Sequence, residues 1–148
     1  MEKCLGCRLA NQEEKVYIIY ENDHVTCLLD HVPHHAGHTL ILPKKHRVEV
    51  MEMDTEESLS VMKASQLVAR TIYELYEPDG VTICQNGGVY SELSHYHMHV
   101  IPRSEEADRF GELFYGNAEV EEPSETLEET HINMKTYINR LLEQENLE

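Results

Sequence analysis

The chain has 148 residues, a length that fits one domain with a buried core. Hydrophobic residues make up 41% and charged residues 27%, which is typical of a globular protein and excludes a largely disordered chain. The formal net charge of −16 argues against a nucleic-acid polymer as partner, because no basic stripe is present to meet its phosphates. It does not exclude a single nucleotide, whose phosphate a few histidines and backbone N–H groups can hold.

The N-terminal segment and the hydropathy pattern indicate where in the cell the protein is expected. No apolar run approaches the roughly 20 residues that a membrane span needs. The first residues lack the apolar core of a signal peptide, so we expect a cytoplasmic protein with no membrane partner. In that compartment the C-x-x-C pair Cys4 and Cys7 indicates a zinc half-site or a redox pair more than a disulfide, although two ordinary thiols remain possible.

Three short β-type runs precede the main predicted helix. Residues 16–20 and 25–29 flank a turn-rich link and predict a hairpin, and residues 38–43 predict a third strand after a Pro/Gly loop. Residues 54–77 predict a helix, because they begin with an N-cap and capping box and then place apolar residues at helical spacing. A helix with one wide apolar face needs a sheet to cover, and the short strands supply one.

The histidine-rich stretch is the most informative segment of the chain. Residues 81–85 predict a fourth strand, and a glycine loop then leads to residues 95–101, where every second residue is histidine. In a strand, His95, His97 and His99 would lie on one face, opposite Tyr96, Met98 and Val100. Because the apolar set can bury against a core, we expect the three imidazoles to face one common site.

The composition changes after Arg103. Residues 104–122 are polar and loop-like, with possible docking residues at Phe110, Leu113, Phe114 and Tyr115. Residues 124–144 predict a second helix with an acidic, solvated surface, on which His131 is expected to be a helix-face histidine rather than a ligand. We therefore expect a core over residues 1–103 and a C-terminal extension over residues 104–148, packed on the same single domain.

Several of these segments together resemble the histidine-triad family of nucleotide hydrolases and transferases. They are the hairpin that ends at Leu28-Leu29-Asp30, the stretch from Gly37 to His46, Asn86-Gly87, and the histidine triad followed by Pro102-Arg103. The likeness runs from Cys4 to Arg103. It implies an α+β fold with an antiparallel sheet of about five strands packed on one main helix, here with an additional C-terminal helix, and a homodimer.

The resemblance also implies a metal site. In the family branch with an N-terminal C-x-x-C, zinc is held by the two cysteines, the histidine after Pro-Lys-Lys and the first triad histidine. In this chain these residues are Cys4, Cys7, His46 and His95. Two thiolates and two imidazoles make a closed tetrahedral site, so we expect the zinc to be structural rather than catalytic.

The resemblance and the position of the middle histidine select the same nucleophile. His97 would attack the α-phosphorus of a nucleotide, forming a covalent nucleotidyl-histidine that water then hydrolyses. His99 and His38 are expected to stabilise the charge on the phosphoryl oxygens. The expected substrate is a purine nucleoside phosphoramidate or a dinucleoside polyphosphate, that is, a derivative of AMP or GMP.

The remaining expected contacts are to the substrate. Asp30 would accept hydrogen bonds from a ribose diol, and Asn86 and Gly87 would contact the phosphate. Ile19 and Leu28 would wall the base. Ser91 stands where the family usually carries a glutamine that contacts the leaving group.

Three other functions stay open. One is a nucleotide-binding module with weak or no catalysis, because the Ser91 hydroxyl has a shorter reach than a glutamine amide. Another is a nucleotidyl transferase, since water and a different acceptor compete for the same intermediate. A third is a histidine-rich metal protein whose triad binds a transition metal.

Overall fold

The computed structural model describes residues 4–108 and 121–146. Within these residues the chain forms three α-helices and five strands. In chain order they are α1 (Leu5–Ala10), β1 (Ile18–Glu21), β2 (Val25–Leu29), β3 (Thr39–Pro43), α2 (Thr55–Tyr76), β4 (Gly80–Cys84), β5 (Met98–Arg103) and α3 (Ser124–Glu145).

The five strands form one sheet in the order β1-β2-β3-β5-β4, and every neighbouring pair is antiparallel. Helices α2 and α3 pack on one face of the sheet, and α1 contacts β2 and β3. All five residues of β2 are buried, because helices cover both faces at this point. The α+β fold predicted from the sequence is therefore confirmed.

The main helix begins and ends as its sequence predicts. Asp54 accepts a hydrogen bond from the Glu57 amide, and the Glu57 carboxylate accepts one from the Asp54 amide, both at 2.9 Å. This reciprocal capping satisfies two amides that a helix start leaves unpaired. At the other end Glu77 adopts a left-handed conformation with φ of 44°, and Pro78 follows.

The histidine stretch enters the sheet later than predicted. The ladder of β5 begins at Met98, so His95 and His97 precede the strand. The Tyr96 amide instead donates to the Arg47 carbonyl at 2.6 Å, which holds this stretch against the loop that follows β3. The expected alternation persists: Tyr96 and Val100 lie in the core beneath α2, and the histidines lie on the other side.

Helix α3 completes the core on the α2 side of the sheet. Leu127, Met134 and Ile138 are buried in the same cluster as the α2 face. His131 donates its Nε2–H to the Ile18 carbonyl at 2.7 Å, as a helix-face histidine packed on an edge strand. No described helix is long and apolar enough to cross a membrane. The four possible docking residues at positions 110–115 lie outside the described residues.

Candidate active site and metal centre

Four side chains predicted to bind metal converge at one end of the sheet. Helix α1 carries Cys7 and begins after Cys4, whose sulfur accepts a hydrogen bond from the Cys7 amide at 3.2 Å. His46 reaches the pair from the loop after β3, and His95 reaches it from the segment before β5. One ligand atom of each residue lies within 4.8 Å of the others.

The distances fit a tetrahedral zinc site. Zn–S bonds of about 2.3 Å and Zn–N bonds of about 2.0–2.1 Å place sulfur and nitrogen ligands roughly 3.5 Å apart. Here the four distances from the two sulfurs to the Nδ1 atoms of His46 and His95 are 3.2, 3.5, 3.3 and 3.5 Å. The two sulfurs lie 3.1 Å apart, somewhat closer than the roughly 3.8 Å that such bonds imply.

The ring of His95 is oriented for this role. Its Nε2 lies 2.8 Å from the Pro43 carbonyl, which can only accept, so Nε2 carries the proton. The lone pair is then on Nδ1, which faces the cysteines. Burial lowers the pKa of His95, which favours the neutral imidazole that a metal requires. Gly6 makes the close approach possible, because a side chain there would overlap the His95 Cβ and Cγ atoms.

The ring of His97 is fixed by its own segment. Its Nδ1 lies 2.9 Å from the His95 carbonyl, so a neutral His97 has its proton on Nδ1 and its lone pair on Nε2. The side chain is 5% exposed and lines a groove on the α1 side of the sheet. An unprotonated Nε2 in a groove is the form that a histidine nucleophile needs.

His38 and His99 form a hydrogen-bonded pair beside His97. The His34 amide can only donate, so the His38 Nδ1 that accepts from it at 3.0 Å carries no proton. Burial and the neighbouring imidazoles lower the pKa of His38 to about 3, and burial and His97 lower that of His99 to about 4. Both rings are therefore neutral near pH 7.

This protonation state determines the direction of the hydrogen bond. Neutral His38 has its proton on Nε2 and donates it to His99 Nδ1, 2.9 Å away. Neutral His99 then carries a proton on Nε2. His99 lines the same groove as His97, and the two ring centroids lie 5.0 Å apart, so this N–H belongs to a ring beside the His97 ring.

Asp30 lies at the end of β2, next to this pair. One of its oxygens accepts from the Val32 amide at 2.9 Å, and the other is 3.5 Å from His38 Nε2. Burial raises the pKa of Asp30, and the Val32 amide partly offsets that effect. The side chain is 15% exposed and lines the groove, so its carboxylate is within reach of a ligand.

The groove measures about 450 Å³ and has an apolar wall. Leu28 lies in this wall, where the sequence predicts a contact with the base. Ile19 does not, because it is 1% exposed and packs in the core between the sheet and α2. The other apolar residues of this wall were not predicted from the sequence. They are Leu5, Leu9, Val16, Tyr17, Leu40 and Leu93. The only available signal was the apolar and aromatic run at residues 16–20.

Asn86, Gly87 and Ser91 are not among the residues that line the groove. In the glycine loop the Gly88 amide donates to the Glu49 carboxylate at 2.8 Å. The Ser91 hydroxyl donates to the Leu93 carbonyl at 2.6 Å. The Gly88 amide and the Ser91 hydroxyl thus have intramolecular partners in this structure, and the contacts of Asn86, Gly87 and Ser91 with substrate stay predictions.

Comparisons with known proteins identify the family to which the chain belongs. The model of the HIT domain matches residues 11–106. Protein hit of Bacillus subtilis is 33% identical over 126 residues, which cover 84% of this chain and 87% of that protein.

Two solved structures share the fold over nearly the whole chain. One is a hypothetical histidine triad nucleotide-binding protein from Sulfolobus tokodaii, with a TM-score of 0.79, 28% identity and 93% of each chain covered. The other is a zinc-bound histidine triad family protein from Mycobacterium smegmatis, with a TM-score of 0.78 and 25% identity, covering 96% of this chain and 97% of that chain. The matched region of the family model spans about two thirds of the present chain and includes the whole triad. The chain belongs to the histidine-triad (HIT) family.

Proposed function

We propose that this protein is a nucleotidyl hydrolase in which His97 attacks the α-phosphorus of a nucleotide. The observation that carries the proposal is the bond between His97 Nδ1 and the His95 carbonyl, which leaves the Nε2 lone pair at the groove. Attack forms a phosphorus–nitrogen bond and breaks the bond from phosphorus to the leaving group. Water then displaces the imidazole and releases the nucleoside monophosphate.

The His38–His99 pair supports the transfer step. The charge on the reacting phosphorus spreads over its oxygens, and a positioned donor stabilises it. His99 Nε2–H is that donor, and His38 keeps the proton there by donating to His99 Nδ1. Because burial lowers the pKa of both rings, they act as neutral hydrogen-bond donors and not as cations.

The groove supports a nucleoside as the bound part of the substrate. Asp30 offers carboxylate oxygens for the ribose hydroxyls, and Leu28, Tyr17 and Leu93 offer apolar surface for the base. A purine derivative of AMP or GMP, as a phosphoramidate or a dinucleoside polyphosphate, is the substrate class we propose. Asn86 and Gly87 stay the residues we predict to contact the phosphate, and Ser91 the one we predict to contact the leaving group.

We further propose that Cys4, Cys7, His46 and His95 hold one structural zinc ion. All four positions around the ion would be filled by protein atoms, so its contribution is to stabilise the fold and not to bind substrate. Thiolates must stay reduced to serve as ligands, which supports a location in the reducing cytoplasm.

A homodimer is the proposed assembly. Among the described residues β4 is an outer strand of the sheet. Its residue Ile83 is 48% exposed, and Val89 and Tyr90, which follow it in the chain, are 93 and 78% exposed. A second copy that covers this edge would bury them and pair the free edge. Sedimentation of the wild type and of Val89→Asp tests this proposal; a monomeric wild type would contradict it.

The proposed function is tested by trapping the intermediate. Wild-type protein mixed with adenosine phosphoramidate or diadenosine tetraphosphate should release AMP and, after rapid acid quench, carry an adenylyl group on His97. His97→Asn should abolish both, because asparagine can keep the bond to the His95 carbonyl but has no nucleophilic nitrogen. The matched control is His24→Asn, which changes an imidazole outside the groove.

The outcomes separate the candidate functions. Full turnover in His97→Asn would contradict the proposed nucleophile. AMP binding without product in the wild type would favour a binding module, a reading that the intramolecular bond of the Ser91 hydroxyl supports. Transfer of AMP to an added alcohol or phosphate in preference to water would favour a transferase.

A further inference from the structure

A second polar cluster lies behind the His38–His99 pair. His34 Nε2 is 2.7 Å from one oxygen of Asp108, and His35 Nε2 is 2.8 Å from the other. The Asp108 side chain is 5% exposed, and the two histidine side chains are 25 and 32% exposed. Asp108 follows β5, whereas His34 and His35 belong to the loop between β2 and β3, so the carboxylate joins two distant parts of the chain.

Asp108 is itself held firmly. The Ser104 amide donates to it at 2.7 Å, and Arg103 Nε donates at 3.3 Å. Burial alone would raise the pKa of this carboxyl, but the Ser104 amide and the two imidazoles outweigh burial and hold the pKa well below its ordinary value. The carboxylate is therefore ionised near pH 7, and each histidine donates its Nε2–H to it.

His34 and His35, the two histidines that bind Asp108, also contact His38 through their backbones. The His34 amide donates to His38 Nδ1 at 3.0 Å, and the His38 amide donates to the His35 carbonyl at 3.1 Å. The same loop is also held at His31, whose carbonyl accepts from the Glu122 amide at 2.8 Å. Any movement of His34 changes the one hydrogen bond that keeps the proton off His38 Nδ1.

We propose that Asp108 is a positioning residue: by clamping His34 and His35 it holds the His34 amide against His38 and so sets the tautomers of His38 and His99. Its effect on catalysis rests on the proposed function, but its effect on the tautomers does not. Without the clamp, the His38 proton can move to Nδ1, and Nε2 then no longer donates to His99. The donor that we assign to the transferring phosphoryl group would be lost with it.

The same three side chains could in principle bind a metal ion. Two observations favour direct hydrogen bonds. Each nitrogen lies within 2.8 Å of its own carboxylate oxygen, and Arg103 already brings a positive charge to that carboxylate. A divalent cation would have to separate these pairs and would be repelled by the guanidinium group.

Imidazole nitrogen NMR on labelled protein tests the proposal independently of turnover. In the wild type, His38 should show an unprotonated Nδ1 and a protonated Nε2. Asp108→Ala should convert this signal into an average of the two tautomers. Asp79→Asn is the matched control, because Asp79 accepts from the Glu105 amide at 2.8 Å and so holds the same turn without touching the histidine loop.

A second variant removes only the loop side of the clamp. His34→Ala/His35→Ala leaves the bonds from Asp108 to Ser104 and Arg103 in place and should give the same His38 spectrum as Asp108→Ala. Combining all three changes should add little, because residues that act through one contact are not additive. This double variant keeps the test valid if Asp108→Ala does not fold.

Kinetics supply the second measurement. With an AMP phosphoramidate, each clamp variant should lower kcat by about tenfold or more with KM nearly unchanged, because a small misplacement of a donor affects the transition state more than binding. An unchanged His38 tautomer in a folded clamp variant would overturn the proposal. So would a second equivalent of zinc in the wild type that disappears in Asp108→Ala. Absence of turnover in the wild type, with the tautomer still dependent on Asp108, would contradict the proposed function alone.

Discussion

His97 donates its Nδ1–H to the carbonyl oxygen of His95, and the two atoms lie 2.9 Å apart. His95 in turn places its own Nδ1 3.5 Å from each cysteine sulfur. The cysteine–histidine cluster and the proposed nucleophile are thus linked through a single residue, because the His95 ring belongs to the cluster and the His95 carbonyl holds the His97 ring. Whatever fixes His95 also fixes the ring of His97.

Removing one cysteine ligand should therefore affect more than the metal. We expect one zinc ion per chain in the wild type and none in Cys4→Ser, with a fall in thermal stability and in turnover, because a structural zinc site contributes folding energy. Elemental analysis and thermal unfolding measure both. Cys84→Ser, a half-buried cysteine outside the cluster, is the control. Retention of zinc in Cys4→Ser would contradict the assignment of this ligand.

Gly6→Ala should destabilise the protein although alanine is the better helix former. Alanine in place of glycine inside a helix normally stabilises it by up to about 1 kcal/mol. Here the added methyl group would overlap His95, so we expect a net loss of about 1–2 kcal/mol in the free energy of unfolding and weaker zinc retention.

Gly80→Ala is the control for that experiment, since no described residue, its two chain neighbours aside, has an atom within 4 Å of a side chain added there. Its free energy of unfolding should stay within about 0.5 kcal/mol of the wild type. Denaturant titrations of both variants compare them. An equally stable Gly6→Ala protein would show that α1 does not approach His95 as closely as described.

Protonation of the buried histidine pair should make stability depend on pH. The pKa values of about 3 for His38 and about 4 for His99 lie below the ordinary value of 6.5. As the pH falls below about 6.5, the unfolded chain binds protons that the folded chain does not, so the free energy of unfolding falls. In this pH window each ring lowers the free energy of unfolding by at most about 1.4 kcal/mol for each unit by which the pH falls.

The comparison that isolates this effect is wild type against His38→Asn. Asparagine can still accept from the His34 amide but does not titrate. Urea unfolding between about pH 7 and pH 5 should show a steeper loss of stability in the wild type. Parallel curves for the two proteins would mean that His38 is not a buried neutral histidine. Because the metal ligands are the same in both, their own titration does not enter the difference.

The ion pair between Glu57 and Arg47 supports the loop that carries His46. Glu57 is 1% exposed and accepts from Arg47 Nε at 2.9 Å and Nη2 at 3.1 Å while also capping α2. We expect Glu57→Ala to lower the free energy of unfolding by about 2 kcal/mol, through lost charge-assisted hydrogen bonds and a lost cap.

Lys45→Ala is the matched control for this pair. Lys45 lies 3.6 Å from the same carboxylate, but its side chain is 63% exposed, so its removal should cost less than about 0.5 kcal/mol. Chemical denaturation of both variants tests the ranking. A loss in Lys45→Ala as large as that in Glu57→Ala would contradict it.

The sequence predicted the fold well because its signals are local. The capping box and apolar spacing predict α2, and the turn-rich link predicts the hairpin, since each depends on residues a few positions apart. The alternation around His97 likewise predicts which side chains face the core. The choice between Ile19 and Leu28 was beyond this reasoning, because both are apolar and only the packing of α1 and α2 shows which face is the groove.

The residue types, their order and their spacing are thus what the sequence alone determined: a C-x-x-C, three alternating histidines and a HIT-type core. Tertiary structure decided which ring nitrogen carries the proton in three of these histidines. The Pro43 carbonyl, the His95 carbonyl and the His34 amide place the protons on His95, His97 and His38 respectively. Asp108, in the segment that follows β5, joins this network through His34. A proton's position depends on a partner within about 3 Å, and residues far apart along the chain reach that distance only once it has folded.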